Sequence, residues 1–209
     1  MPMNRRTAVK SLIHAAALPT MLSTANATVR TSHAAPAFEL IDLQTFSLPS
    51  DRYYGWATVA RRSSGELLVV ASGGREQHVC PFGRVDLIQS LDNGDSWTFA
   101  RTIADGPIDD RDAGVLETAK GTLLVTTFTS LAYEPALRKA IATADTDKPS
   151  MPAEQLRRWK AAHGRLPEGQ HQAQLGCWML RSEDAGITWS PPYRCPVNSP
   201  HGPVNLSNG

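Results

Sequence analysis

Short apolar runs broken by glycine-bearing corners set the rhythm of this chain, and their spacing predicts strands rather than helices. The segment Ala57-Thr-Val-Ala-Arg-Arg-Ser-Ser-Gly-Glu-Leu-Leu-Val-Val70 reads as strand, tight turn, strand. It is matched by Ala113-Gly-Val-Leu-Glu-Thr-Ala-Lys-Gly-Thr-Leu-Leu-Val-Thr126. A third copy begins at Gly202-Pro-Val-Asn-Leu. Each of the first two copies is followed by a hairpin corner of the same form, Ser-x-Asp-x-Gly-x-(Ser/Thr)-Trp: Ser90, Asp92, Gly94 and Trp97, then Ser182, Asp184, Gly186 and Trp189. The Asp can accept backbone N–H groups inside the turn, the Gly permits positive φ, and the Trp covers the hairpin base.

The predicted unit has four strands: 57–62, 66–72, 84–90 and 96–103, then 112–118, 122–128, 175–182 and 187–195 in the second copy. Repeated four-stranded antiparallel units are the blades of a β-propeller. A β-sandwich also uses many short strands, but it does not need the same turn chemistry at equivalent places. The expected architecture is therefore all-β, with blade 1 at about 50–104, blade 2 at about 105–196 and the start of blade 3 at 197–209. An insertion at 130–174 interrupts the second blade. It holds two predicted helices, one opened by Glu134-Pro135 and one from about Pro152 to His163, with Ser150 as cap and Gly164 as stop. Two readings stay open for it, surface decoration and lid.

Composition agrees with a loop-rich β protein: 15 Gly, 15 Pro, and 21 basic against 20 acidic residues. That charge balance argues against nucleic acid as a partner, and no apolar run has the length of a membrane span. The first 27 residues read as an export signal of the twin-arginine type: Arg5-Arg6, Lys10, an apolar stretch from Leu12 to Leu22, and Ala25-Asn-Ala27 as cleavage site. Its removal leaves 18 basic and 20 acidic side chains. Residues 28–49 are an N-terminal strand or linker, and the expected location is periplasmic or secreted. Cys177 and Cys195 flank one predicted hairpin, so a disulfide between them is left open; a reducing folding compartment argues against it. His78-x-Cys80 has no partners at metal spacing, and neither metal nor cofactor is expected.

Antiparallel connectivity sends the tight turns to one end of the sheets and the long polar loops to the other. The loop end gathers Arg75, Glu76 and His78 from one loop, Asp109, Asp110, Arg111 and Asp112 from the next, and His201 from the third copy. Guanidinium groups can grip a carboxylate in two-pronged fashion and a carboxyl can shuttle a proton, a combination suited to an acidic sugar. Glu76 and Asp112 are the candidate catalytic groups, with Arg75, His78, Arg111 and His201 as candidate substrate contacts. The hairpin corners lie at the opposite end and are expected to be structural. Arg84, Asp109 and Asp110 are expected to be solvated charges or local ion pairs.

The paired corners, together with Gly65-Glu-Leu-Leu-Val-Val and Gly73-Gly-Arg75 before Val85-Asp-Leu-Ile-Gln-Ser90, resemble the Asp-box repeats of the sialidase (neuraminidase) superfamily. The resemblance covers about 50–209, apart from the insertion. It implies a six-bladed propeller of which about two blades are present, and a glycoside hydrolase acting on terminal sialic or related acidic sugars. It also implies an inactive N-terminal piece whose remaining blades, nucleophile and further arginines lie elsewhere. An Arg-Ile-Pro motif of that family is replaced here by Tyr54-Gly-Trp-Ala57, and its acid/base Asp has only Glu76 and His78 in the corresponding loop. A non-catalytic glycan-binding propeller is the alternative, and a two-blade protein that pairs with another chain is a third. Exposed blade faces would make the isolated chain poorly soluble.

Overall fold

In the computed structural model, residues 43–45, 52–198 and 201–206 are described, so the twin-arginine segment lies outside the described residues. The alternating runs form two four-stranded antiparallel sheets. The first consists of β1 (Tyr53–Arg61), β2 (Leu67–Arg75), β3 (Arg84–Ser90) and β4 (Arg101–Ala104), hydrogen-bonded in that order. The second consists of β5 (Asp109–Glu117), β6 (Leu123–Ser130), β7 (Cys177–Ser182) and β8 (Tyr193–Arg194), in the same order.

The first strands start earlier than the sequence pattern indicates and the last strands are much shorter. Both short strands follow a hairpin corner whose Trp folds back over the turn. Trp97 Nε1 donates to the Gly94 carbonyl at 3.0 Å and Trp189 Nε1 to that of Gly186 at 3.1 Å. Pro191 and Pro192 then deprive the second ladder of N–H donors, and only two residues pair. The third copy forms no strand over 201–206. It lies along β5 instead, with Gly202 against Gly114 and Asn205 Nδ2 donating to the Glu117 carbonyl at 2.8 Å.

The two corners are built from the same bonds. In the first, Asp92 Oδ1 accepts from Ser90 Oγ and from the Ser96 amide, both at 2.8 Å, and Oδ2 accepts from Ser96 Oγ at 2.5 Å. In the second, Asp184 accepts from Ser182 Oγ, the Thr188 amide and Thr188 Oγ1 at 2.8, 2.9 and 2.5 Å. Asn93 and Ala185 precede the glycines with φ of 59° and 60°. The Ser96 and Thr188 hydroxyls, then their amides, hold the two carboxyls down at about 2. A depressed carboxyl supports the fold above its ordinary 3.8 and withdraws that support as pH falls toward 2. Asp92→Asn and Asp184→Asn should lower the neutral-pH melting temperature and flatten the loss of stability between about pH 4 and 2. Circular-dichroism melts across that range check this, and an unchanged acid limb contradicts it.

The sheets pack face to face. Leu68, Val70, Val85 and Leu87 of the first meet Ala113, Val115, Leu123, Val125 and Leu180 of the second, all buried. Burial of each larger aliphatic side chain stabilises by roughly 1.5–3 kcal/mol. Polar ties cross the interface along its length. Thr58 Oγ1 donates to the Ala113 carbonyl at 2.9 Å, Arg62 Nε to Glu117 at 3.1 Å, and Arg101 to the Ile187 carbonyl at 2.7 Å and to that of Gly186.

Between β6 and β7 stand α1 (Glu134–Ala142), with Pro135 in its first turn, and α2 (Ala153–His163), ended by Gly164. Leu137 and Ala140 on α1 and Leu156, Trp159 and Ala162 on α2 recur at three-residue intervals and form each helix's buried stripe. Tyr133, Leu137, Ala140, Leu156 and Trp159 close over Cys80 of the β2–β3 loop. Ser150 is not the cap of α2. Pro152 occupies that position, and Ser150 Oγ instead accepts from Thr143 Oγ1 at 2.9 Å. Cys177 and Cys195 face each other through a 2.9 Å backbone hydrogen bond and both are free thiols.

Candidate functional site

The two sheets begin with the same irregularity. The β1–β2 register slips between Gly55 and Thr58, and the β5–β6 register slips between Arg111 and Gly114. At the slips, Trp56 and Asp112 adopt left-handed backbone, with φ of 52° and 46°. Non-glycine residues pay about 1–3 kcal/mol for that conformation, and bulges re-aim side chains next to functional sites. These two residues also hold the same place in the repeat, immediately before Ala57 and Ala113. In the third copy that place, before Gly202, is His201. All three line one pocket of about 230 Å³ between β1, β5 and the segment that starts at His201.

Charge in and around this pocket is unevenly satisfied. Asp112 Oδ1 is buried without a hydrogen-bond partner among the described residues, and Oδ2 is 3.7 Å from His201 Nδ1. Burial pushes the Asp112 carboxyl above the ordinary aspartate range, opposed by the charges of Arg111, His201, Arg75 and His78. The Arg111 guanidinium lies 4.6 Å from the centre of the Trp56 ring. Its Nε makes no hydrogen bond among the described residues, and Asp109 is 3.9 Å away. His78, exposed, tilts toward the same ring at 5.0 Å.

Arg75 is wholly buried behind this cluster, 4.8 Å from the Trp56 ring. Two of its nitrogens meet the two Asp109 oxygens at 2.8 and 3.1 Å, and it also donates to Ser72 Oγ and the His78 carbonyl. Burial pushes Asp109 up while the guanidinium bonds and charge oppose it. Arg75 therefore holds Trp56 from beneath and has no surface left for a ligand. Glu76 is turned the other way: Arg158 Nε and Trp159 Nε1 of α2 donate to its carboxylate at 2.7 and 3.1 Å. It fastens the helical segment to the β2–β3 loop.

Of the residues expected at the loop end, Asp112, Arg111, His78 and His201 thus gather around one point, while Arg75 and Glu76 are committed elsewhere. Arg84 pairs with Asp86 at 3.0 Å, and Asp109 with Arg75. Asp110 faces a separate cavity of about 330 Å³ walled in part by Ile103, Pro107, Thr127 and Trp178. Sequence reasoning passed over Trp56, although the repeat register carries the signal: it is the residue equivalent to Asp112 and His201. Among the described residues no group of three or more His, Cys, Asp or Glu side chains could hold a metal ion, and no helix is long and apolar enough to cross a membrane.

These features define a mostly-β protein of two four-stranded antiparallel sheets with few helices. No family model matches the chain, and no curated protein does. Among solved structures it is similar to a protein of unknown function from Dyadobacter fermentans DSM 18053, at 20% identity over 69% of this chain and 37% of that one, with a TM-score of 0.46. It is also similar to the Hadza microbial sialidase Hz136, at 17% identity over 68% of this chain and 25% of that one, with a TM-score of 0.45. The chain therefore spans well under half the length of either, and likeness at this level transfers no residue role.

Proposed function

We propose that the two sheets are blades of a sialidase-type β-propeller and that the pocket framed by Trp56, Asp112 and His201 takes a terminal acidic sugar for glycosidic cleavage. The observation that carries this reading is the convergence of the same repeat position from three successive copies on one pocket. Innermost strands of neighbouring blades run side by side around a propeller axis, and β1, β5 and 201–206 run side by side here. In this reading Arg111 meets the sugar's carboxylate. Asp112, whose carboxyl holds its proton above the ordinary range, delivers that proton to the glycosidic oxygen as the bond to the sugar breaks. Trp56 forms the wall and His201 the rim.

A second reading, glycan binding without cleavage, is favoured by one fact: Arg75 and Glu76 are locked into structural pairs. Titration of the full chain with N-acetylneuraminic acid, followed by tryptophan fluorescence, is the test, with a fluorogenic sialoside assayed in parallel. Binding should weaken at least tenfold in Arg111→Gln. In Asp112→Asn binding should persist, while any turnover falls by about 10²–10⁴-fold. Turnover by the unmodified chain selects the first reading over the second, and no saturable binding sinks both.

A further inference from the structure

A pocket of about 410 Å³ opens beside the β2–β3 loop and shares no lining residue with the Trp56 cluster. Three arginines line it from three separate segments: Arg52 before β1, Arg84 at the head of β3, and Arg165 just after α2. Tyr54 and Phe82 supply aromatic walls, and the Arg52 guanidinium is held 5.9 Å from the Phe82 ring. Like charges lining one cavity repel, so their gathering needs an anion, either from the protein or from outside it.

The protein's own anions stand mostly behind the arginines. Glu76 is 3.5 Å from Arg52 and Asp86 is 3.0 Å from Arg84, and these carboxylates are 7% and 1% exposed. The three arginine side chains, by contrast, are 32%, 41% and 36% exposed. Among the described residues only Asp105 shares the rim, 3.1 Å from Arg165, whose other two nitrogens donate to the Ala162 and Pro81 carbonyls at 3.3 and 3.4 Å. Arg84 bonds Asp86 solely through Nε, so its two terminal nitrogens carry no bond among the described residues. That is the two-pronged end of a guanidinium, the part that fits an oxyanion. Gly74, with φ of +71°, lines the pocket beneath it. A β-carbon there would lie 3.4 Å from Arg84 Cδ and Nε and crowd the group that glycine leaves open.

We propose that this pocket is a second ligand site, for an oxyanion (carboxylate, sulfate or phosphate) borne on a framework that rests against Tyr54 and Phe82. The helical segment between β6 and β7 then takes part in binding, because Arg165 comes from it while Arg84 and Gly74 come from the first sheet. The proposal is independent of what occupies the Trp56 pocket.

The test follows arginine Nε–H signals by NMR in the full-length chain. Sodium sulfate, inorganic phosphate and glucuronate are added in separate titrations, with ionic strength held constant by sodium chloride. Saturable shifts of the Arg84 and Arg165 signals are expected with at least one of the three. Preference for sulfate or phosphate over glucuronate identifies a tetrahedral anion, and the reverse a carboxylate. Affinity should fall at least tenfold in Arg84→Gln and in Arg165→Gln, the latter outside both sheets, and stay unchanged in Arg138→Gln on the exposed side of α1. Linear shifts with all three anions, or affinity that survives both Arg84→Gln and Arg165→Gln, would overturn the proposal.

Discussion

Replacing Arg75 by methionine should destabilise the chain by about 3–5 kcal/mol, the range for removing one partner from a buried ion pair. Asp109 would be left without its partner in a site with no solvent exposure, and the Ser72 hydroxyl and His78 carbonyl would lose their donor. Adding Asp109→Leu should recover much of that loss, because a buried pair exchanged for apolar side chains of similar volume is close to neutral. Urea unfolding of the two single variants and the double variant measures the coupling. If Arg75→Met alone stays within about 1 kcal/mol of the parent chain, the buried-pair account fails. The same Arg75 variants report on the pocket above, since they remove the guanidinium under Trp56 and its charge near Asp112.

Asp110→Asn should make the chain more stable at pH 8 than the unmodified protein and remove most of a slope in stability between pH 4 and 7. Burial pushes the Asp110 carboxyl up to about 7, with the Gly106 amide bond opposing and the charges of Asp105 and Asp109 adding to it. Between 3.8 and about 7 the unfolded chain has released this proton and the folded chain still holds it, so stability falls as pH rises and levels off above about 7. Three pH units correspond to about 4 kcal/mol, an upper figure for the gain. Asparagine keeps an oxygen that can accept from the Gly106 amide, as Asp110 Oδ2 does at 2.5 Å. Denaturant melts at pH 4.5, 6 and 8 decide the matter: parallel profiles for the two proteins would show that Asp110 is not the titrating group.

The parts of this molecule legible in its sequence are those governed by neighbours along the chain. The corners at Asp92 and Asp184, the turns at Gly65 and Gly121 and the stop at Gly164 each depend on contacts within a few residues. The site was legible only in part because its members are sorted by long-range pairing. Glu76 meets Arg158 across 82 positions and Arg75 meets Asp109 across 34, and neither pairing leaves a periodic trace. Trp56 was in view as a departure from a family motif. Its importance lies in its register with Asp112 and His201, a relation that appears once the bulges put all three at one pocket.

The ties at the far end of β1 and β5 have a bearing on how wide the mouth of that pocket can open. Arg62 is clamped to Glu117 there, and Arg101 of the first sheet grips carbonyls in the corner of the second. Fastened at that end and filled with aliphatic side chains between, β1 and β5 are held side by side up to the pocket. For the ligand proposed at this pocket, two of the three walls are therefore preorganised, which lowers the ordering cost of binding.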